Sequence, residues 1–269
     1  MRRKAEERIP GPAARLAERN IAVFESPRVA AWYVDQELDA AERRLLIDWE
    51  RDYVGARVLD LGVGTGRTTA VLAPCARDYL GIDISEEMLA QARAHFPGVA
   101  LHRMDIRDIG ALPAGGRDYV LAAYAVLDVF EHEERRAALA AIRDALRKGG
   151  LFVFSFHNLG WRLAGAPPQR PRGFNPVRLA RDLRQYRIGK RNYRARAGLE
   201  RRADEHAMLR DMAHQWRCVF YYTTIAAQIA ELDGIGFETT AVIGADGREM
   251  TRDDPGRDDP TPYLRCRKR

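Results

Sequence analysis

Val58-Leu59-Asp60-Leu61-Gly62-Val63-Gly64-Thr65-Gly66-Arg67 is the stretch that decides the fold. A short apolar run reads as a buried strand, three glycines spaced by two form a turn, and a helix follows. Asp83, in Gly81-Ile82-Asp83-Ile84-Ser85, closes the next strand, about twenty residues on. Asp105, in Arg103-Met104-Asp105-Ile106, closes the strand after that. Glycines at a strand-to-helix turn let a ligand lie against bare backbone. A carboxylate only accepts hydrogen bonds and can take both hydroxyls of a ribose diol at once.

Outward from this turn the chain alternates. Strands are expected near 57–61, 79–83, 99–104, 118–124 and 150–156, with helices near 66–75, 86–95 and 133–147. Ser85 is an N-cap, Glu86 and Glu87 suit the first turn of a helix, and Gly149-Gly150 is expected to end the helix before the fifth strand. Such alternation builds a parallel sheet with helices on both faces. Ahead of it, residues 28–53 carry Val29, Trp32, Tyr33, Leu38, Leu45, Leu46 and Trp49 at helical spacing, whereas residues 1–20 read as a polar, poorly ordered lead. After His157 the rhythm breaks. Residues 158–216 hold Pro167, Pro168, Pro171 and Pro176 and a basic helical stretch, and read as an insertion. A helix capped by Thr223 or Thr224 and stopped at Gly234 follows, then strands at 237–243 and 263–267.

Asp60 ahead of a G-x-G-x-G turn, with acids after strands two and three, resembles the class I S-adenosylmethionine-dependent methyltransferases. The resemblance covers roughly residues 55–160 by motif. It implies an α/β, Rossmann-like, seven-stranded and mostly parallel sheet with an antiparallel C-terminal hairpin, N-terminal helices (1–54) and a lid-like basic insertion (158–216) within a methyltransferase domain at 55–269. It also implies S-adenosyl-L-methionine as cofactor and assigns its contacts by position. Gly62, Gly64, Thr65 and Gly66 match the loop under the methionine and ribose, Asp60 the acid near the amino group, and Asp83 the ribose ligand. Asp105 matches the acceptor for the adenine amino group, Ile84, Met88 and Ile106 its apolar walls, and Ala123 and Tyr124 the methionine end. Each isolated acid also has a plain reading as a helix cap, and Met88 as core. A dinucleotide fingerprint would need a third glycine where Arg67 stands, which argues against a dehydrogenase.

Composition limits the alternatives. The 269 residues are 46% hydrophobic, enough for a sizeable core. No apolar run approaches the roughly eighteen residues of a membrane span, and no apolar stretch backs the first charged residues, so neither a membrane anchor nor a signal peptide is expected. Cys75, Cys218 and Cys266 fit neither a disulfide framework nor a metal site, which suggests a reducing cytoplasm and no metal. Residues 161–217 contain 15 basic and 5 acidic residues, more positive charge than the whole chain's net of +6. Only 4 of the 44 basic residues are lysine, so the arginine excess also fits a GC-rich, bacterial coding sequence rather than an anionic partner.

Acceptor-facing groups belong beyond the C-terminal ends of strands four and five. The candidates there are Asp128, His132, His157 and Asn158. His157 leaves its strand toward the cofactor and is the first choice for general base, with Asn158 orienting it. A histidine hydrogen-bonded at a strand end is the structural alternative, and His132, in Glu131-His132-Glu133-Glu134, also fits a solvated helix start. His206 and His214, from the insertion, and Tyr33, Tyr221 and Tyr222 are further pocket candidates. The expected acceptor is a small molecule methylated on oxygen or nitrogen, anionic if the insertion's arginines reach it. Motifs of base-amino, cytosine-carbon and arginine methyltransferases are missing after strand four, where Tyr124-Ala125-Val126-Leu127-Asp128 stands. An RNA or protein acceptor held by the insertion, or cofactor binding without turnover, are the alternatives. The sequence leaves the oligomeric state open.

Overall fold

The computed structural model describes residues 15–269. Most of the expected polar lead, including the segment read as lacking a signal peptide, lies outside them. From residue 16 that expectation gives way to a helix, α1 (Leu16–Phe24), with Leu16, Ala17 and Asn20 buried. It is followed by α2 (Pro27–Val34) and the short α3 (Ala40–Arg43).

The central unit runs β1 (Arg57–Leu61), α4 (Thr69–Cys75), β2 (Asp78–Asp83), α5 (Glu86–His95), β3 (Leu101–Arg103), β4 (Arg117–Ala122), α6 (His132–Ala145) and β5 (Leu146–Ser155). Beyond the break come β6 (His157–Asn158), α7 (Pro176–Ala195), β7 (Arg201–Arg202), β8 (His206–Arg210), β9 (Val219–Thr223), α8 (Ile225–Ile235), β10 (Phe237–Ile243), β11 (Glu249–Met250) and β12 (Tyr263–Lys268). The main sheet has the order β11-β10-β12-β5-β4-β1-β2-β3. β12 runs antiparallel to both β5 and β10, and β1 to β5 are mutually parallel. The seven expected strands are therefore joined by a two-residue edge strand, β11. A second sheet, β6-β9-β8-β7, was not expected.

Strand alternation sorts the core onto two faces. Leu59, Leu61, Val120 and Ala122 pack with α6 and α8, while Val58, Tyr119 and Leu121 pack with α4 and residues 45–53. Two glycine assignments change. The helix after β9 is capped by Thr224 and runs through Gly234 to Ile235, where Gly236 (φ 106°) ends it in the left-handed region. Gly149 and Gly150 lie within β5, where its register with β4 shifts between Arg117 and Tyr119, so they relieve an irregularity in the strand rather than end α6.

The sheet reverses its build direction between β1 and β4, whose neighbours lead off to opposite edges. Parallel sheets open a crevice at the carboxyl ends of the strands at such a point.

Candidate active site

A cleft occupies that crevice. It holds about 1200 Å³ of space, open solvent at its mouth included, enough for a nucleoside and a small partner beside it. Gly62 forms its floor with φ 69°, and a Cβ there would overlap the Val126 side chain. Gly64 (φ 55°) instead has nothing within 4 Å of where a Cβ would be, so its backbone is open to a ligand. Asp83 anchors this loop: Oδ2 accepts from the Gly64 N–H (2.8 Å) and Oδ1 from the Ser85 N–H (2.8 Å). Each oxygen has a second lone pair, so the carboxylate can also receive a diol. Burial pushes the Asp83 pKa up, against the backbone hydrogen bonds that hold it down.

Ile84, Met88 and Ile106 supply apolar wall beside Asp83, and Asp105, Thr65, Ala123 and Tyr124 complete this end. Arg107 grips both Asp105 oxygens (3.1 Å from Nε to each, 2.6 Å from Nη2 to Oδ2) and also binds Glu134. Asp105 keeps acceptor capacity, since a carboxylate offers about four lone-pair sites. An open glycine backbone, a diol-ready carboxylate and an apolar slot together fit an adenosine bearing an extended side chain.

Two expected contacts do not reach the cleft. Asp60 is buried behind the loop, accepting from Thr68 Oγ1 (2.7 Å) and the Tyr79 hydroxyl (2.9 Å), and burial raises its pKa to about 7. It braces the start of α4. Gly66 faces the Phe96 ring, not the cleft.

At the other end stands His157. Its Nδ1 lies 2.9 Å from Asp128 Oδ2, which also accepts the His157 backbone N–H at 2.6 Å. Asp128 is fully buried and paired with the equally buried Arg135 (3.0 Å), which reaches on to Glu231 (3.2 Å). Because a carboxylate only accepts, Nδ1 carries the proton in the neutral ring and Nε2 is free to act as a base. Burial alone would lower the His157 pKa, but the hydrogen bond to Asp128 and its charge outweigh it, and the net shift is upward. The ring stacks on Phe220 at 4.9 Å.

The other catalytic candidates are corrected. Asn158 points to the opposite side of its strand from His157 and is fully engaged. Its Nδ2 donates to the carbonyls of Pro255, Gly256 and Asp259, and its Oδ1 accepts from Gly160 N–H. It fastens the 255–259 loop and cannot orient His157. His132, at the start of α6, binds the Tyr221 hydroxyl (2.9 Å) and stacks on His206 (4.2 Å) away from the cleft. Tyr222 is bound to Asp211 in the core.

Of the insertion, only Ala213 and His214 line the cleft, and α7 with its arginines does not. α7 and α1 line a separate groove that includes Arg19, Arg28, Arg191, Arg196 and Arg217. Phe24, Tyr33, Arg67 and Phe220 also line the cleft. Arg67 is ion-paired with the buried Glu42 and stacked over Tyr124 (4.8 Å). The sequence signal for Arg67 was its place in the loop; Phe24 and Phe220 had none beyond being apolar. Among the described residues no cluster could hold a metal ion, and no helix is long and apolar enough to cross a membrane.

Residues 58–150 match the model of the family described as methyltransferase domain. A trans-aconitate 2-methyltransferase of Methylobacterium nodulans is 34% identical over 123 residues, 42% of this chain and 46% of that protein. The chain spans about half the length of the curated relatives it matches. Among solved structures, an S-adenosylmethionine-dependent methyltransferase of Mesorhizobium loti superposes with a TM-score of 0.56 at 24% identity, covering 85% of this chain and 98% of that one. The 1,6-didemethyltoxoflavin N1-methyltransferase of Burkholderia thailandensis, solved with that compound and S-adenosylhomocysteine, gives 0.56 at 17% identity, covering 97% and 93%. These likenesses carry the fold.

Proposed function

We propose that this chain is a class I S-adenosylmethionine-dependent methyltransferase, a reading supported by the match of residues 58–150 to a methyltransferase domain, and that it moves a methyl group from S-adenosylmethionine to an oxygen or nitrogen of a small molecule, with His157 as general base. Gly62, Gly64, Asp83 and Asp105 hold the cofactor, with Ile84, Met88 and Ile106 against its adenine. When bound, it supplies an electrophilic methyl group on a sulfonium, whose carbon–sulfur bond breaks with the electron pair left on sulfur. The protein's share is to fix the acceptor, exclude water and take up a proton. The observation that carries this reading is His157: a cleft-lining imidazole whose Nδ1 is held by a buried carboxylate.

A small acceptor is supported by a concave cleft bounded by the N-terminal helices and the carboxyl ends of the strands. An anionic one loses its main support, because the arginines of α7 lie elsewhere and Arg67 is committed to Glu42. The same placement removes the basis for an RNA acceptor at this site.

The test is thermal stabilisation by S-adenosylmethionine, S-adenosylhomocysteine and NADH, for wild type and Asp83→Ala. A ligand at a hundred times its Kd adds about 2.7 kcal/mol. Stabilisation by the adenosyl compounds alone, lost in Asp83→Ala, is the expected result; stabilisation by NADH, or by none of the three, refutes the reading.

A further inference from the structure

The cleft has an aromatic corner beside Ala123 and Tyr124. Phe24 of α1, Tyr33 of α2, Tyr124 and His214 cluster there: Phe24 meets His214 edge to face (5.1 Å, 83°), Tyr33 meets Tyr124 edge to face (6.0 Å, 78°), and Tyr33 lies tilted against Phe24 (6.3 Å) and His214 (5.8 Å). His214 Nε2 is 3.3 Å from the Tyr33 hydroxyl.

His214 reaches this place on strained backbone. His214, Gln215 and Trp216 take φ of 48°, 61° and 57°, three successive non-glycine residues in the left-handed region. Such residues are strained and persist only where their surroundings fix them. The insertion does the fixing. Trp216 Nε1 donates to the Ala166 carbonyl (3.1 Å), and its ring lies so close to Gly189 of α7 that a Cβ there would come within 2.8 Å. Asn192 of the same helix donates to the Gln215 carbonyl (2.9 Å), and Asp211 accepts the Ala213 N–H (2.6 Å). Helix α7 therefore acts as a buttress that aims His214 into the cleft, not as a cover.

Three features of the cleft restrict its second occupant. Ring faces and edges form this end. Among the described residues no arginine or lysine that lines this cleft is free of a carboxylate partner, since Arg67 is held by Glu42. The base is an imidazole: a phenolic hydroxyl, titrating near pH 10, gives up its proton across a smaller gap than an aliphatic alcohol, akin to water at about 15.7, so a phenol is the better match to it.

We propose that this corner seats the methyl acceptor, and that the acceptor is a planar aromatic molecule carrying a phenolic hydroxyl, its ring packed by Phe24, Tyr33 and His214. The inference rests on the methyltransferase reading. The hydroxyl proton passes to Nε2 of His157, and the oxygen lone pair forms the new bond to the methyl carbon. The His214–Tyr33 pair offers a second polar contact that sets the ring's orientation.

Calorimetric titration of the protein saturated with S-adenosylhomocysteine, using 2-naphthol and its saturated counterpart decahydro-2-naphthol, tests this without turnover. Aromatic pairs contribute about 0.5–1.5 kcal/mol each beyond area, so two contacts correspond to roughly tenfold tighter binding of 2-naphthol. His214→Leu and the milder His214→Gln should each weaken 2-naphthol several-fold and leave S-adenosylhomocysteine affinity unchanged. Equal or absent binding of the two probes to cofactor-loaded protein, or indifference to both His214 variants, overturns the acceptor inference alone. Failure of S-adenosylhomocysteine itself to bind overturns the methyltransferase reading and this inference with it.

Discussion

Asp128 holds His157 at two points with one oxygen, accepting from the backbone N–H at 2.6 Å and meeting Nδ1 at 2.9 Å. The residue that sets the imidazole's tautomer thereby also fixes the strand from which it projects. Replacing His157 by Ala removes the base but touches none of the residues around Asp83. We expect transfer to fall about 10²–10⁴-fold while S-adenosylhomocysteine affinity, measured by calorimetry, stays within twofold. Unchanged transfer would remove His157 from the chemistry.

The same pair predicts a pH dependence. Burial opposes protonation of His157, yet the hydrogen bond and charge of Asp128 prevail and lift its pKa above the ordinary value of 6.5. Only the neutral ring accepts a proton, so kcat/KM should rise with pH through that elevated pKa and then level off. Asp128→Asn removes the raising charge and leaves burial, so the rising limb should move to lower pH as the plateau drops. A limb that stays in place assigns the titration to another group.

Behind Asp128, Arg135 has no exposed surface and also contacts Glu231 and the face of Tyr221 (4.7 Å). Truncating one partner of a buried ion pair strands the other charge and typically costs about 3–5 kcal/mol. Arg135→Met should lower stability to urea by that order, and the double variant Arg135→Met/Asp128→Asn should lose less than the sum of its parts. Strict additivity in that cycle would show that the two charges do not depend on each other.

What the sequence disclosed, and what it hid, follows from range. Strands buried on both faces read as apolar runs, and Gly62 and Gly64 announce a loop whose left-handed φ values they alone adopt cheaply, so the sheet and the glycine loop were legible. His157 and Asn158 look like a pair in sequence, but a strand sends neighbours to opposite faces, and only His157 reaches the cleft. His132 sits close to Asp128 in the chain, yet the helix it begins carries it outward. His214 was one of two histidines in a stretch read as a lid. Its role depends on three left-handed residues and on Trp216 fitting against Gly189, which no local pattern encodes. The second sheet escaped because β6 and β7 have two residues each and rely on β8 and β9 for pairing.

His214 gives the last prediction. Burial, helped by the charge of Arg217 and opposed by Asp211, pulls its pKa down to about 4, and Tyr33 is its hydrogen-bonding neighbour. The fold therefore favours the neutral ring, while the unfolded chain binds a proton at the ordinary pKa of about 6.5. A depressed pKa contributes stability that is complete above the unfolded value and is lost as pH falls toward the folded one. Between pH 6.5 and 4, wild type should lose more stability than His214→Gln, which carries no titrating group at that position but keeps hydrogen-bonding capacity. Denaturation midpoints of the two proteins at pH 7 and pH 4.5 decide it. The other carboxylates and histidines are common to both, so the difference between the two losses isolates the imidazole. Equal losses would mean that His214 is protonated as readily in the fold as in the open chain, and that the corner is wetter than its packed rings imply.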